Sequence, residues 1–136
     1  PQMKVLVDTH VFIWMFIEPR RFSAKARSFL EDVQSNRLFF SDVSAWEASI
    51  KYGLGKLHLP EEPEIFFPDR VRQAEYRHLR IDLRHVTRVH YLPQVHGDPF
   101  DRLLISQAIV EDMIILTNDS VIKRYKADTL MVSDIS

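Results

Sequence analysis

Apolar positions along this chain alternate between short runs and stripes of helical period, and that alternation predicts the fold. Lys4-Val5-Leu6-Val7 is a brief apolar run ending at Asp8, and it reads as a buried strand. Thr9 to Ile17 is apolar on most sides and is stopped by Glu18-Pro19. Ser23 is a good N-cap for a helix through about Gln34, with Ala26, Phe29, Leu30 and Val33 on one face. Arg37-Leu38-Phe39-Phe40 reads as a second strand. Ser41 or Asp42 then caps a helix that points Val43, Trp46 and Ile50 inward and ends near Gly53 or Gly55.

Residues 58–68 hold Pro60, Pro63 and Pro68, which predicts a loop with a short helix. A helix over 69–78, a strand over 79–83 and a helical stretch over 85–91 follow. After a loop from Pro93 to Gly97, Asp98-Pro99-Phe100-Asp101 opens a strong helix to about Glu111, with proline at its first position. Met113 to Leu116 is a strand leading to Thr117-Asn118-Asp119. A last helix to Tyr125 and a strand at 130–132 complete the pattern. Strands separated by helices predict one α/β domain over residues 1–136, with a parallel sheet covered on both faces.

Composition narrows the chemistry. The 136 residues are 46% apolar and 27% charged, too apolar for a disordered chain. Cysteine is absent, which excludes a disulfide framework, a thiol nucleophile and any cysteine-held metal. Val11 to Ile17 is far too short to span a membrane. Met3-Lys4 leads straight into the first strand without a signal-peptide pattern, so the expected location is cytoplasmic. A net charge of −1 argues against grip on nucleic acid by bulk charge. Six arginines (70, 72, 77, 80, 84 and 88) with His78 and His85 form a basic stretch, readable either as a solvated face or as a surface for a partner.

In an open parallel sheet, ligands bind beyond the carboxyl ends of strands where the strand order reverses. Asp8 and Asp119 end two strands, and if those strands are neighbours both carboxylates enter one crevice. Glu47 lies in the helix after the second strand, and Asp98 and Asp101 start a later one. Clustered carboxylates repel and raise one another's pKa, and a hard divalent cation relieves that cost. Oxygen-only ligands suit Mg²⁺ or Mn²⁺ rather than zinc, and such ions support in-line attack of water on phosphorus. Each acid also has a plainer role. Asp8 and Asp119 fit helix caps, Glu47 fits a solvated helix face, and Asp98 fits an N-cap beside Pro99. His10 and His96 fit packing as well as catalysis. Ser44 and Thr117 fit either orientation of a carboxylate or a local backbone hydrogen bond.

Five blocks in order resemble the PIN-domain nucleases. They are Val5-Leu6-Val7-Asp8-Thr9-His10, Ser44-Ala45-Trp46-Glu47, Ile50 to Leu57, His96 to Ile105 with Asp-Pro-Phe-Asp at its centre, and Leu116-Thr117-Asn118-Asp119. The likeness runs from residue 4 to about 132 and is nearest to the toxins of VapBC-type toxin–antitoxin pairs. It implies a three-layer α/β sandwich and a Mg²⁺- or Mn²⁺-dependent endoribonuclease. By motif position its acidic quartet is Asp8, Glu47, Asp101 and Asp119, with Asp98 as an additional acid. It further implies an RNA substrate, a homodimer, and an antitoxin whose tail fills the active-site groove. Arg102, Lys51 and Lys56 lie near the quartet in sequence and are candidates for holding RNA phosphates. Phe66 and Phe67 are candidates for an exposed self-association surface.

Other readings fit less well. A phosphohydrolase with an aspartyl nucleophile wants a second Asp where His10 stands, and a strand-end lysine that is lacking. A phosphate-receiver module needs paired acids at the first strand end, where only Asp8 stands. None of the three glycines follows the first strand, which disfavours a glycine-loop nucleotide site. A non-catalytic binding module of the same shape is the alternative that remains.

Overall fold

The computed structural model describes residues 2–93, 97–125 and 127–135, so His96 lies outside the described residues. Strand β1 (Met3–Val7) runs into helix α1 (Thr9–Ile17). A 3₁₀ turn at Pro19–Arg21 leads to α2 (Ala24–Glu31), β2 (Asn36–Ser41) and α3 (Asp42–Gly53). Then come α4 (Pro63–Ala74), β3 (Arg77–Leu79), α5 (Leu83–Arg88), α6 (Pro99–Glu111), β4 (Ile114–Thr117) and β5 (Thr129–Met131). Among the described residues, no helix is long and apolar enough to cross a membrane.

All the strands are parallel, in the order β3-β2-β1-β4-β5. Their alternation decides the layers, because successive side chains point to opposite faces. Val5, Val7, Leu38, Phe40 and Leu116 pack with Phe12, Leu30, Phe66 and Phe67 from α1, α2 and α4. Leu6 and Ile115 point the other way, onto Leu103, Leu104 and Ile105 of α6. The result is a three-layer sandwich with helices on both faces. The chain moves outward through β2 and β3, then returns to lay β4 on the other side of β1. The topological switch point therefore lies between β1 and β4.

Several boundaries differ from the sequence reading, each for a local reason. Helix α2 stops at Glu31 instead of near Gln34, because the Asp32 side chain accepts the Ser35 N–H at 3.0 Å and closes a turn. Helix α4 begins at Pro63, where a proline costs no hydrogen bond, and continues through Pro68. The bond forfeited at Pro68 is offset by burying Phe66 and Phe67 on the same turn. Both rings are buried, with Phe66 fully so, which removes them as a self-association surface. Helix α4 ends at Glu75 in the left-handed region (φ 61°), and β3 starts at Arg77, two residues earlier than expected. Asp82 does not extend that strand; it caps α5, reciprocated by the His85 ring. The expected last helix is a single 3₁₀ turn at Ile122–Arg124.

Candidate functional site

Asp8 leaves the end of β1 at the switch point, and its backbone N–H donates to Leu116 O on β4 at 2.9 Å. That pairing brings Thr117 alongside, and its hydroxyl donates to Asp8 Oδ2 at 2.6 Å. The N–H of Thr9 donates to Oδ1 at 2.7 Å, so the carboxylate is held from both sides. Burial pushes the Asp8 pKa up, and the charge of Glu47 adds to the rise; the Thr117 and Thr9 hydrogen bonds and His10 act against it. Thr117 also accepts the Asp119 N–H at 3.0 Å, which ties the second strand-end acid to the first. Asp119 Oδ1 accepts the Val121 N–H at 2.9 Å and caps the turn that follows.

Helix α3 supplies Glu47. Of the face expected to be core, Val43 is buried, but Trp46 is 48% exposed and Ile50 40%, whereas Glu47 is only 4% exposed. Trp46 instead rests edge-on against Phe100, ring centroids 4.7 Å apart. Glu47 Oε2 receives the Lys51 ammonium at 2.5 Å. Burial lowers the Lys51 pKa, but the bond to Glu47 and the charges of Glu47, Asp98 and Asp101 outweigh that and hold it above its usual value.

Helix α6 supplies the remaining acids. Asp98 is its N-cap, accepting the N–H groups of Phe100 and Asp101 at 2.9 and 3.2 Å. Asp101 lies in the first turn of the helix. Burial pushes its pKa to about 8, helped by the charges of Asp98, Asp8, Glu47 and Asp119. A group so shifted favours its protonated form near neutral pH.

These side chains line one open pocket of about 500 Å³: Asp8, Glu47, Asp98, Asp101 and Asp119, with Lys51. His10 and Trp14, one helical turn apart on α1, form its wall. The sequence reading missed Trp14 and Ser120 and named Asn118 only within a motif. The signal for Trp14 was available, since it stands four residues after His10 on the same helix. Ser44 is fully buried and accepts the Thr9 hydroxyl at 2.8 Å, so it acts on the site through Thr9. Lys56 is exposed beyond the end of α3 and does not line the pocket. Arg102 turns away altogether: its guanidinium donates to the carbonyls of Pro93, Val89 and Leu92 at 2.8, 3.3 and 3.4 Å. It fastens the segment before α6 and is not available to a ligand in the pocket.

Part of the basic stretch is spent on structure too. Arg70 pairs with Glu61 and Asp69 and lies over the Phe66 ring at 4.6 Å. Arg84 pairs with Asp82 and Glu111, and Arg88 covers Tyr91 at 4.6 Å. Among the described residues, Asp82, His85 and Glu111 bring three ligand atoms within 4.8 Å of one another. They sit at the opposite end of α6 from the pocket. Both His85 nitrogens are engaged there, Nε2 with Glu111 at 2.7 Å and Nδ1 with the Asp82 N–H at 3.0 Å, so the trio reads as a capping arrangement. The pocket acids are more widely spread. An all-oxygen donor set of that kind suits a hard divalent cation that keeps waters among its ligands.

The PIN-domain family model matches residues 5–128. Ribonuclease VapC16 of Mycobacterium tuberculosis (strain ATCC 25618 / H37Rv) is 39% identical over 61 residues, which is 45% of this chain and 43% of that protein. The match thus spans less than half the length of that relative. The structure of VapBC2 from Rickettsia felis, bound to a DNA fragment from its promoter, superposes with a TM-score of 0.73 at 17% identity, covering 95% of this chain and 98% of that one. DNA-bound VapBC from Salmonella typhimurium gives a TM-score of 0.71 at 15% identity, covering 96% and 99%. The two structural likenesses speak for the fold alone, and the family match takes in nearly all of the sequence. On that match the chain belongs to the PIN-domain family.

Proposed function

We propose that this chain is a divalent-metal-dependent endoribonuclease, the toxin of a toxin–antitoxin pair. The observation that carries the reading is the gathering of five carboxylates, from four separated stretches of sequence, in one pocket at the switch point of the sheet. Asp8, Glu47, Asp101 and Asp119 would hold Mg²⁺ or Mn²⁺, with Asp98 contributing from the α6 cap. Such an ion, when bound, polarises a phosphate oxygen and lowers the pKa of a water that attacks phosphorus. The chain's own part is positional. Thr117 and the Thr9 N–H fix Asp8, and Ser44 steadies Thr9 from behind. Lys51 supplies a positive charge to RNA phosphate at the pocket, and Lys56 a further one beyond α3. Family membership supports hydrolysis of phosphodiesters, and the named ribonuclease relative supports RNA as the substrate. The structural relatives are VapBC assemblies, which supports an antitoxin as partner. A homodimer working in the cytoplasm completes the reading.

Asp8→Asn tests it. The asparagine keeps an oxygen for the Thr9 N–H, and its amide can donate to the Thr117 hydroxyl oxygen, so the fold should survive. Mg²⁺-dependent cleavage of RNA should fall by at least roughly 100-fold, the scale seen when a charge-stabilising group is lost. Unchanged cleavage by the purified variant would reject the assigned site. Wild-type protein that binds RNA but cuts none in Mn²⁺ would point to the binding-module alternative.

A further inference from the structure

Lys51 is the one lysine or arginine among the described residues that line the acidic pocket. It stands four residues after Glu47 on α3, in the order that favours a helical ion pair, and its Nζ lies 2.5 Å from Glu47 Oε2. An exposed pair of this kind contributes little. This one is lopsided. The Glu47 side chain is 6% exposed and that of Lys51 36%, so the carboxylate is fixed while the ammonium borders solvent. A lysine head on a flexible four-carbon stem can change partners at small cost.

An ammonium and a divalent cation cannot share Glu47 Oε2 without strong mutual repulsion. Entry of the cation therefore displaces the ammonium. A displaced ammonium at the rim of a pocket that receives RNA has an obvious new partner, the phosphate backbone. We propose that Lys51 is an exchangeable counterion, occupying Glu47 in the cation-free pocket and moving to an RNA phosphate when a divalent cation takes its place. The inference rests on the nuclease reading above. It adds that cation uptake and substrate grip are coupled through one side chain.

Removing the charge then has two effects of opposite sign. Lys51→Met keeps the stem and deletes the ammonium. In the absence of RNA, Mn²⁺ titrated calorimetrically should bind this variant roughly tenfold more tightly than wild type, because a competing charge a few ångströms away is gone. Lys51→Arg keeps the competitor and should stay within about twofold of wild type. Binding of a short single-stranded RNA, followed by fluorescence anisotropy in saturating Ca²⁺, should weaken several-fold in Lys51→Met. Its salt dependence should lose about one phosphate contact. A lysine that merely supported the fold would move neither constant. Lys51→Gln repeats the measurement if the methionine variant melts early in EDTA. Equal or weaker Mn²⁺ binding by the uncharged variants overturns the exchange, and so does unchanged RNA affinity. If wild-type protein itself takes up no Mn²⁺, the nuclease reading falls and this inference with it. If wild type binds Mn²⁺ and the variants bind it no better, the inference falls alone.

Discussion

Asp101 carries the clearest electrostatic strain in the molecule. Its carboxyl shares a half-buried pocket with four others, and its pKa rises to about 8 against an ordinary 3.8. The sign of the stability effect follows. A raised carboxyl pKa means the folded state binds a proton that the unfolded chain has already released, so stability falls as pH rises between about 4 and about 8. Asp8 is shifted in the same direction and adds to the trend. In EDTA, Asp101→Asn should therefore melt a few °C above wild type at pH 8, and the gap should close toward pH 4. Equal melting temperatures at pH 8 would contradict the crowding of these acids. Asp98 behaves differently, since its carboxylate caps two N–H groups of α6. Asp98→Ala should cost about 1 kcal/mol in urea unfolding. At this scale the sequence was readable for strand-end acids and misleading for α3. Hydropathy assigns Trp46 to the interior and Glu47 to solvent, but the concave side of α3 here is a polar pocket. The rule that apolar side chains face inward assumes an apolar interior.

Among the elements, the best-read ones have a chemical start signal. Asp98-Pro99 fixes the beginning of α6, and Ser23 and Ser41 cap α2 and α3 as their side chains suggest. The poorly read ones lie where two signals conflict. Pro68 reads as a breaker, yet α4 runs through it because Phe66 and Phe67 bury a large apolar area on that turn. Asp82 lies in a stretch, 79–83, whose leucines and isoleucine suggest a strand. Its side chain instead accepts the first N–H groups of α5, the His85 ring accepts the Asp82 N–H in return, and β3 is left short. Arg102 shows the same limit from the side of function. Its place beside Asp101 suggests a phosphate ligand, but a helix turns successive residues by about 100°, and Arg102 faces the carbonyls that precede α6. Arg102→Met removes the donor from these acceptors, of which the Leu92 carbonyl is buried. It should cost about 1–3 kcal/mol in urea unfolding while the variant that still folds cuts RNA at a near-normal rate. A large loss of cleavage without loss of stability would return Arg102 to the site.

For the molecule as a whole, the sheet order sets how charge is stored. The strand-end and helix-start acids meet at one edge of the sandwich, while Arg70, Arg72 and Arg84 of the basic stretch pair with acids elsewhere. A fold with a near-neutral total thus keeps a local crowd of carboxylates, eased by the Lys51 ammonium and by the raised pKa of Asp101, that a bound cation would ease further. Anything that binds the folded state and not the unfolded chain raises stability by mass action. Mn²⁺ or Mg²⁺ should therefore raise the melting temperature in a concentration-dependent way, and EDTA should reverse the rise. On the proposed site, a cation held by Asp101 would expel the proton that burial and the neighbouring acids favour there, so the thermal shift should be larger at pH 8 than at pH 5.5. Asp101→Asn should shrink the shift and flatten its pH dependence. Ca²⁺ is a useful control, being a hard cation that accepts the same oxygens with looser geometry. A melting temperature indifferent to all three cations at millimolar concentration would mean that the pocket's charge is balanced from within, and that the chemistry assigned to it must lie elsewhere.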